Sequence, residues 1–308
     1  MSSIACNKLT RANVEKLLSS TVFINMDGQT VEVDNTNSAN DIQLYIELSK
    51  LQDCMGRVEG ISYLEFMDIL GCSKATFYNS LERLERLEYI KAVSDRKGKW
   101  DITILNNIFL SEEDYKQSYM RTNVDFLYSD EFKKMSLVSK KICLYLHLNK
   151  NTYRKLEVYL ATLAKGIGIK ILSVVKDALE AVKKFFPHMF VEGKQGKKLV
   201  FEASRVSKNE ETEDANYIKH KLKVFCDRHN IKYTKKDIED VSILSGQYSK
   251  KLSFQKFISI VMHVLFVSTR DNSLRPNYIN SVCKIESAKL AQREQEKIEK
   301  EEENILPF

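Results

Sequence analysis

The sequence predicts a mainly α-helical protein with small β-sheets, divided into more than one domain. Its 308 residues exceed the length that one hydrophobic core usually organises. It contains 3 prolines and 10 glycines, few enough to favour helices over a strand-rich sandwich. Apolar residues recur at helical spacing between residues 40 and 290, and short alternating runs with glycine turns interrupt them. We therefore expect small sheets within a helical framework.

The predicted domains follow from local pattern. Residues 10–19 read as a short helix, and VFINMDGQTVEVD alternates on both sides of Asp27 and Gly28, which indicates a β-hairpin. SKNEETED at 207–214 is polar, acidic and without apolar spacing, as in a linker. We predict an N-terminal helix and hairpin (1–40), two helix-rich domains (41–120 and 121–206), the linker (207–214), a helical domain (215–290) and an acidic tail (291–308).

The charge is distributed unevenly. Residues 286–308 carry seven acidic and four basic side chains, so the net charge of +6 resolves into −3 for this segment and +9 for residues 1–285. A basic body with an acidic tail is typical of a nucleic-acid-binding protein with a separate protein-binding tail. A mildly basic globule with a solvated terminal helix gives the same composition.

The sequence offers no catalytic site. It has no phosphate-binding loop motif, and its six cysteines are scattered without a C-x-x-C pair, which indicates reduced thiols. His220, Cys226 and His229 have metal-like spacing but no second cluster to complete a site. We expect no enzyme activity, no cofactor and no metal.

We also expect a cytoplasmic protein that does not contact membranes. No apolar run approaches the length that spans a bilayer, and MSSIACNKL lacks the features of a secretory signal.

Residues 61–105 are the most informative stretch. ISYLEFMDIL predicts a short helix, GCS a tight turn, and KATFYNSLERLERLEYI a longer helix with Phe77, Leu81, Leu84 and Leu87 on one stripe. IKAVS, DRKGK and WDITIL then predict a strand, a basic glycine turn and a second strand. With the helix that precedes it, this segment resembles the winged helix-turn-helix family.

That resemblance implies DNA binding by the third helix and the wing. Ser73 is placed to cap the helix, and Lys74, Thr76, Tyr78 and Asn79 lie off the apolar stripe, where they can reach bases in the major groove. The wing residues Arg96, Lys97 and Lys99 suit phosphate or minor-groove contact. A winged helix that contacts only protein is the alternative.

A second copy of this unit follows after a shift of 98 residues, which places Ile142 on Leu44 and Leu179 on Leu81. Its predicted helices are SLVSKKICLYLHLN, RKLEVYLATLAKG and GIGIKILSVVKDALEAVKKFF. Its candidate DNA-binding residues are Lys170, Ser173 and Lys176 on the third helix and Lys194, Lys197 and Lys198 in the wing. The third helix is unusually apolar, so it is expected to be more buried, and formation of a homodimer through it is the alternative to DNA binding.

The segment EEENILPF resembles the acidic tip of bacterial single-stranded-DNA-binding proteins, in which acids precede Ile or Leu, Pro and a final Phe. The matching residues are Glu301, Glu302, Glu303, Leu306, Pro307 and Phe308. The resemblance implies binding to host replication or repair proteins that receive such tips. The Phe308 ring would fill an apolar pocket, and its carboxylate would meet an arginine.

Together these features resemble the replication initiators of plasmids and phages, which carry winged helices in series. They imply a DNA-binding replication protein of a mobile element that recruits host proteins through its tip. A winged-helix transcriptional regulator and a single-stranded-DNA-binding protein on an unusual scaffold are the two alternatives.

Overall fold

The computed structural model describes residues 6–94, 98–110, 118–149, 155–187, 190–191, 198–202, 210–248, 252, 254–267 and 273–303. The protein is mainly helical with small antiparallel sheets, as predicted. It divides into two compact units, Met1–Glu213 and Asp214–Phe308. No helix in the described part of the chain is long and apolar enough to cross a membrane.

The first unit begins with a short strand, a helix and a hairpin. β1 (Lys8–Thr10) leads into α1 (Arg11–Leu18), and β2 (Thr21–Met26) pairs antiparallel with β3 (Gln29–Asp34). Asp27 and Gly28 both have positive φ, which is the backbone geometry of a tight hairpin turn whose twist matches its strands. The predicted hairpin is confirmed.

Six elements follow in a compact arrangement. They are α2 (Ala39–Leu51), β4 (Arg57–Ser62), α3 (Tyr63–Leu70), α4 (Lys74–Arg86), β5 (Ile90–Ser94) and β6 (Lys99–Ile104). The three strands form an antiparallel sheet in the order β4–β6–β5. The buried residues of α2 and α4 face this sheet and each other in one hydrophobic core.

The same six elements recur in the same order. β7 (Tyr119–Arg121), which pairs with β1, and α5 (Asp130–Lys134) connect the two sets. The second set is α6 (Leu137–Asn149), β8 (Lys155–Tyr159), α7 (Leu160–Gly166), α8 (Leu172–Phe185), β9 (Phe190–Val191) and β10 (Lys198–Glu202). Its sheet order, β8–β10–β9, repeats that of the first set. α2 and α6 begin at Ala39 and Leu137, which is the predicted shift of 98 residues.

Three helix starts predicted for these two sets are wrong. The helix predicted as GIGIKILSVVKDALEAVKKFF begins at Leu172, so Lys170 precedes it. We predicted that RKLEVYLATLAKG forms one helix, but Lys155–Tyr159 is the strand β8, and α7 begins only at Leu160. Likewise the helix predicted from Ile61 begins at Tyr63, after the strand β4. In KLEVY the apolar residues alternate with period 2, and pairing with β10 satisfies the backbone, so the strand is favoured over an extra helical turn.

The two sets share one core. α2 and α6 pack side by side, and the buried Lys140 of α6 donates from Nζ to Oε1 of Gln43 at 2.9 Å and to the carbonyl of Ala39 at 3.1 Å. Lys50, also buried, donates to Glu47 at 2.8 Å and to the carbonyl of Leu127 at 2.9 Å. Because a buried ammonium group needs partners, the bonds of Lys140 fix how α2 and α6 meet, and those of Lys50 tie α2 to the 3-10 turn Asp125–Tyr128.

The second unit is helical. It consists of most of α9 (Glu210–Arg228), α10 (Lys235–Tyr248), α11 (Phe254–Val267) and α12 (Pro276–Glu303), which pack around a separate core. Residues 207–209 of the predicted linker lie outside the described residues, and its remainder belongs to α9. We predicted that the helical domain ends at residue 290 and that an acidic tail follows. The helix α12 continues through this segment to Glu303, and Leu290 is its last described apolar side chain that packs against the core.

Candidate nucleic-acid interface

The start of α4 is built by a turn and a cap. Gly71 ends α3 with a φ of 60°, a left-handed conformation that glycine adopts without strain. Ser73 then caps α4, because its Oγ accepts a hydrogen bond from the backbone N–H of Thr76 at 3.2 Å. The cap leaves the first turn of α4 at the protein surface, with Ser73 and Lys74 exposed. A helix N-terminus in this position attracts phosphate.

Buried side chains and an ion pair fix the orientation of α4. The predicted apolar stripe is confirmed, since Phe77, Leu81 and Leu84 are buried in the shared core. On its C-terminal half, Arg83 donates from Nε to Asp41 at 2.6 Å and from Nη2 at 3.2 Å. Asp41 is fully buried at the start of α2, so the paired guanidinium ties α4 to α2.

An aromatic cluster supports Lys74. Its ammonium lies 4.7 Å from the ring centroid of Tyr63 and 5.9 Å from that of Tyr78. Tyr78 in turn contacts Tyr63 and Trp100, with centroids 6.1 and 6.2 Å away. A cation above aromatic faces is stabilised by the ring quadrupoles, so these rings hold Lys74 at the surface.

The predicted outward orientation of Tyr78 is therefore wrong. Tyr78 is half-buried against the core because its neighbour Trp100 on β6 covers one edge of its ring. Helical spacing predicted one buried stripe on α4. The strands of the sheet also cover a second face of this helix, and Tyr78 lies on that face.

The remaining predicted residues of the first set are distributed as follows. Asn79 is exposed one turn into α4, and Thr76 is half-buried with its Oγ1 2.9 Å from Oγ of Ser73. Lys99 is half-buried at the start of β6, beside Trp100. Arg96 and Lys97 lie outside the described residues. The structure thus exposes Ser73 and Lys74 at the start of α4 and Asn79 in its second turn.

Three residues of the first set were not predicted as part of a DNA-binding surface. Tyr63 and Trp100 support Lys74, and Lys91 on β5 is an exposed cation on the same sheet as Lys99. No spacing signal identifies Tyr63, because its approach to Lys74 depends on how α3 packs against α4. Lys91 is visible in IKAVS as a polar residue of a strand in which Ile90 is buried.

The equivalent end of α8 is different. Lys170, Ser173 and Lys176 are exposed as predicted for surface residues, but the residue before the helix is Ile171, and no side chain caps the helix there. The prediction that this helix is unusually buried is wrong: Ile171, Leu172 and Val174 are exposed, and only one face, including Val175 and Leu179, enters the core. Lys194 and Lys197 lie outside the described residues, as does the side chain of Lys198 on β10.

The other predicted residues lie in the second unit. Glu301, Glu302 and Glu303 end α12, and Leu306, Pro307 and Phe308 lie outside the described residues.

Cys226 is buried, and His229 stacks on Phe225 with ring centroids 4.4 Å apart. Within the described parts of the chain, no group of three or more His, Cys, Asp or Glu side chains could hold a metal ion. All six cysteines are free thiols, as predicted.

Comparison with known proteins adds no assignment: no protein-family model matches the chain, and no curated protein does. The chemistry of the α4 surface therefore carries the functional argument. It presents a capped helix N-terminus, an oriented ammonium group and an exposed amide.

Proposed function

We propose that this chain is a DNA-binding replication protein of a mobile element, such as a plasmid or phage, and that α4 is its DNA-reading helix. The observation that carries the proposal is the exposed N-terminal half of α4, where Ser73 caps the helix, Lys74 is exposed in the first turn and Asn79 in the second. Lysine and asparagine are side chains that read guanine and adenine in the major groove.

The order of elements supports a winged helix-turn-helix. The first set runs helix, strand, two helices and two strands, with the sheet order β4–β6–β5. In the proposed winged helix, β5 and β6 correspond to the two strands of the wing. Lys91 and Lys99 on these strands would contact phosphates, together with Arg96 and Lys97 of the connecting turn. The net charge of +9 over residues 1–285 favours attraction to a polyanion.

The repeated set of elements supports two such units in series, as in the replication initiators that the sequence resembles. For the second set of elements, the side chains at the start of its third helix support DNA binding less well. Lys170, Ser173 and Lys176 are exposed, but they surround apolar side chains instead of an amide and a supported lysine.

Recruitment of host replication or repair proteins is the second part of the proposal. Its support is the resemblance of residues 301–308 to the tip of single-stranded-DNA-binding proteins. Beyond Leu290 most residues of α12 are charged, and Ala291, Gln292 and Arg293 are exposed. A solvent-exposed helix of this kind could carry such a segment.

Footprinting on the DNA that flanks the gene of this protein tests the proposal. An initiator should protect repeated sites there, and replication of a plasmid carrying those repeats should depend on the protein. Protection of a single promoter site without such dependence favours a transcriptional regulator. Binding that ignores sequence and prefers single strands favours the third alternative.

A further inference from the structure

Two cysteines of the first unit are in contact. The thiols of Cys6, just before β1, and Cys54, in the turn between α2 and β4, are joined by a hydrogen bond. Cys6 is buried, with only 3% of its surface exposed, whereas Cys54 is half-buried. The two sulfur atoms are therefore neighbours, and one of them can be reached from solvent.

Hydrogen bonds to the backbone hold both cysteines in place. The N–H of Cys6 donates to the carbonyl of Gln52 at 3.2 Å, and Nε2 of the buried Gln52 donates back to the carbonyl of Cys6 at 2.7 Å. The carbonyl of Cys54 accepts from the N–H of Phe109 at 2.8 Å. These bonds keep the two thiols against each other in the folded chain.

The other cysteines offer a comparison. Cys72, in the turn before α4, is half-buried as Cys54 is. The remaining three are buried: Cys143, Cys226 and Cys283. Exposure alone therefore does not distinguish Cys54 from Cys72. Among the described contacts of these two residues, only those of Cys54 include a second thiol.

We propose that Cys6 and Cys54 form a reversible disulfide when the protein meets a low-molecular-weight disulfide such as oxidised glutathione. In a reducing compartment such a bond is transient, and a pair of this kind acts as a redox sensor. Its closure ties the segment before β1 to the turn after α2. Because β1 also pairs with β7, the cross-link fastens the strand pair that lies between the two sets of elements.

The half-buried Cys54 reacts first. The hydrogen bond with Cys54 and burial both raise the pKa of the Cys6 thiol well above its ordinary value. The Cys54 thiolate attacks one sulfur of oxidised glutathione, the S–S bond breaks, and one glutathione leaves as a thiolate. Cys6 then gives up its proton, which the ammonium of Lys8 favours, and attacks the sulfur of Cys54, so that the second glutathione leaves. Two protons and two electrons pass from the cysteines to the glutathione disulfide, which ends as two thiols.

The test uses the folded full-length protein and oxidised glutathione without DNA, so its outcome does not depend on whether the chain binds DNA. Peptide mapping of the wild type by mass spectrometry, without a reductant, should show the Cys6 and Cys54 peptides joined and no glutathione on either. Cys6→Ser should instead retain one glutathione on Cys54, because no second thiol displaces it. Cys72→Ser is the matched control, since it removes the other half-buried cysteine, and it should form the disulfide as the wild type does.

The disulfide should also stabilise the first unit, because it closes a loop that contains α1, the hairpin and α2. Trp100 is the single tryptophan of the chain and lies in the sheet of this unit, so its fluorescence reports on unfolding there. The urea midpoint of the wild type should rise by about 0.5 M or more on oxidation and return after reduction with dithiothreitol.

The mapping and the midpoint of the wild type decide the question even where Cys6→Ser does not fold. A wild type that keeps both thiols, or that holds glutathione on Cys54 while Cys6 stays reduced, overturns the proposal. So does a cross-link of either residue to another cysteine, or a joined pair that leaves the urea midpoint unchanged.

Discussion

The Nζ atom of Lys141 on α6 donates a hydrogen bond to the carbonyl oxygen of Leu18, the last residue of α1, at 2.9 Å. It also donates to the carbonyl of Ser19 at 3.2 Å, so one buried ammonium group satisfies the end of α1. Lys141 is almost fully buried, and burial lowers its pKa to about 8.

Stability should therefore depend on pH through Lys141. In the unfolded chain the pKa of this lysine is close to its ordinary value of 10.5. Between pH 8 and pH 10.5 the folded state binds fewer protons than the unfolded state, so this group makes the free energy of unfolding rise with pH.

Urea unfolding of wild type and Lys141→Met at pH 7.5 and pH 10 isolates this effect, because other titrating groups are common to both proteins. The difference in free energy of unfolding, wild type minus variant, should rise by about 1 to 3 kcal/mol across that interval. An unchanged difference would mean that Lys141 is not buried as an ammonium group.

The ion pair between Arg83 and Asp41 should contribute substantially to stability. Arg83→Met leaves the fully buried Asp41 carboxylate without its cation, which should cost about 2–3 kcal/mol, less than for a pair with both partners buried. Lys133→Met, which breaks the exposed pair with Asp130, is the control and should cost less than about 1 kcal/mol. Equal losses in urea unfolding would contradict the assigned role of Arg83.

The aromatic support of Lys74 should affect DNA affinity. Tyr63→Leu removes the ring nearest the ammonium and should weaken duplex binding by about 0.5–1 kcal/mol, whereas Tyr63→Phe keeps a ring face and should bind as the wild type does. Fluorescence anisotropy with one labelled duplex measures both. If Leu and Phe behave alike, the ring does not position Lys74.

The segment 301–308 should bind proteins that receive the tip of single-stranded-DNA-binding proteins. A peptide ending in ENILPF should displace a labelled tip peptide from such a protein, and a peptide ending in ENILP should not, because it lacks the ring that fills the pocket. Displacement by both peptides, or by neither, would remove recruitment through this segment from the proposal.

Much of the fold follows from periodicity. Phe77, Leu81 and Leu84 are buried as their helical spacing predicts, and the shift of 98 residues recurs in the order of the elements. The short strands β4 and β8 were missed because each is joined directly to a helix, and their partners β6 and β10 are distant in sequence.

The candidate surface was less predictable. Ser73, Lys74 and Asn79 are exposed where the helix pattern puts them, but Tyr78 is covered by Trp100, which follows it by 22 residues. Apolar residues such as Leu172 and Val174 were expected to be buried, although hydrophobicity alone does not decide burial at a helix end.

The central claim is that α4 reads duplex DNA, and its most direct test is equilibrium binding to a footprinted site and to a scrambled duplex over a range of salt concentrations. Asn79→Ala should weaken binding to the site by roughly 1–3 kcal/mol and leave the scrambled duplex nearly unaffected. Lys74→Glu should weaken both, whereas Lys236→Glu, an equal change of net charge at an exposed lysine of α10, should bind as the wild type does. If Asn79→Ala and Lys74→Glu both bind the footprinted site with wild-type affinity, α4 does not read DNA.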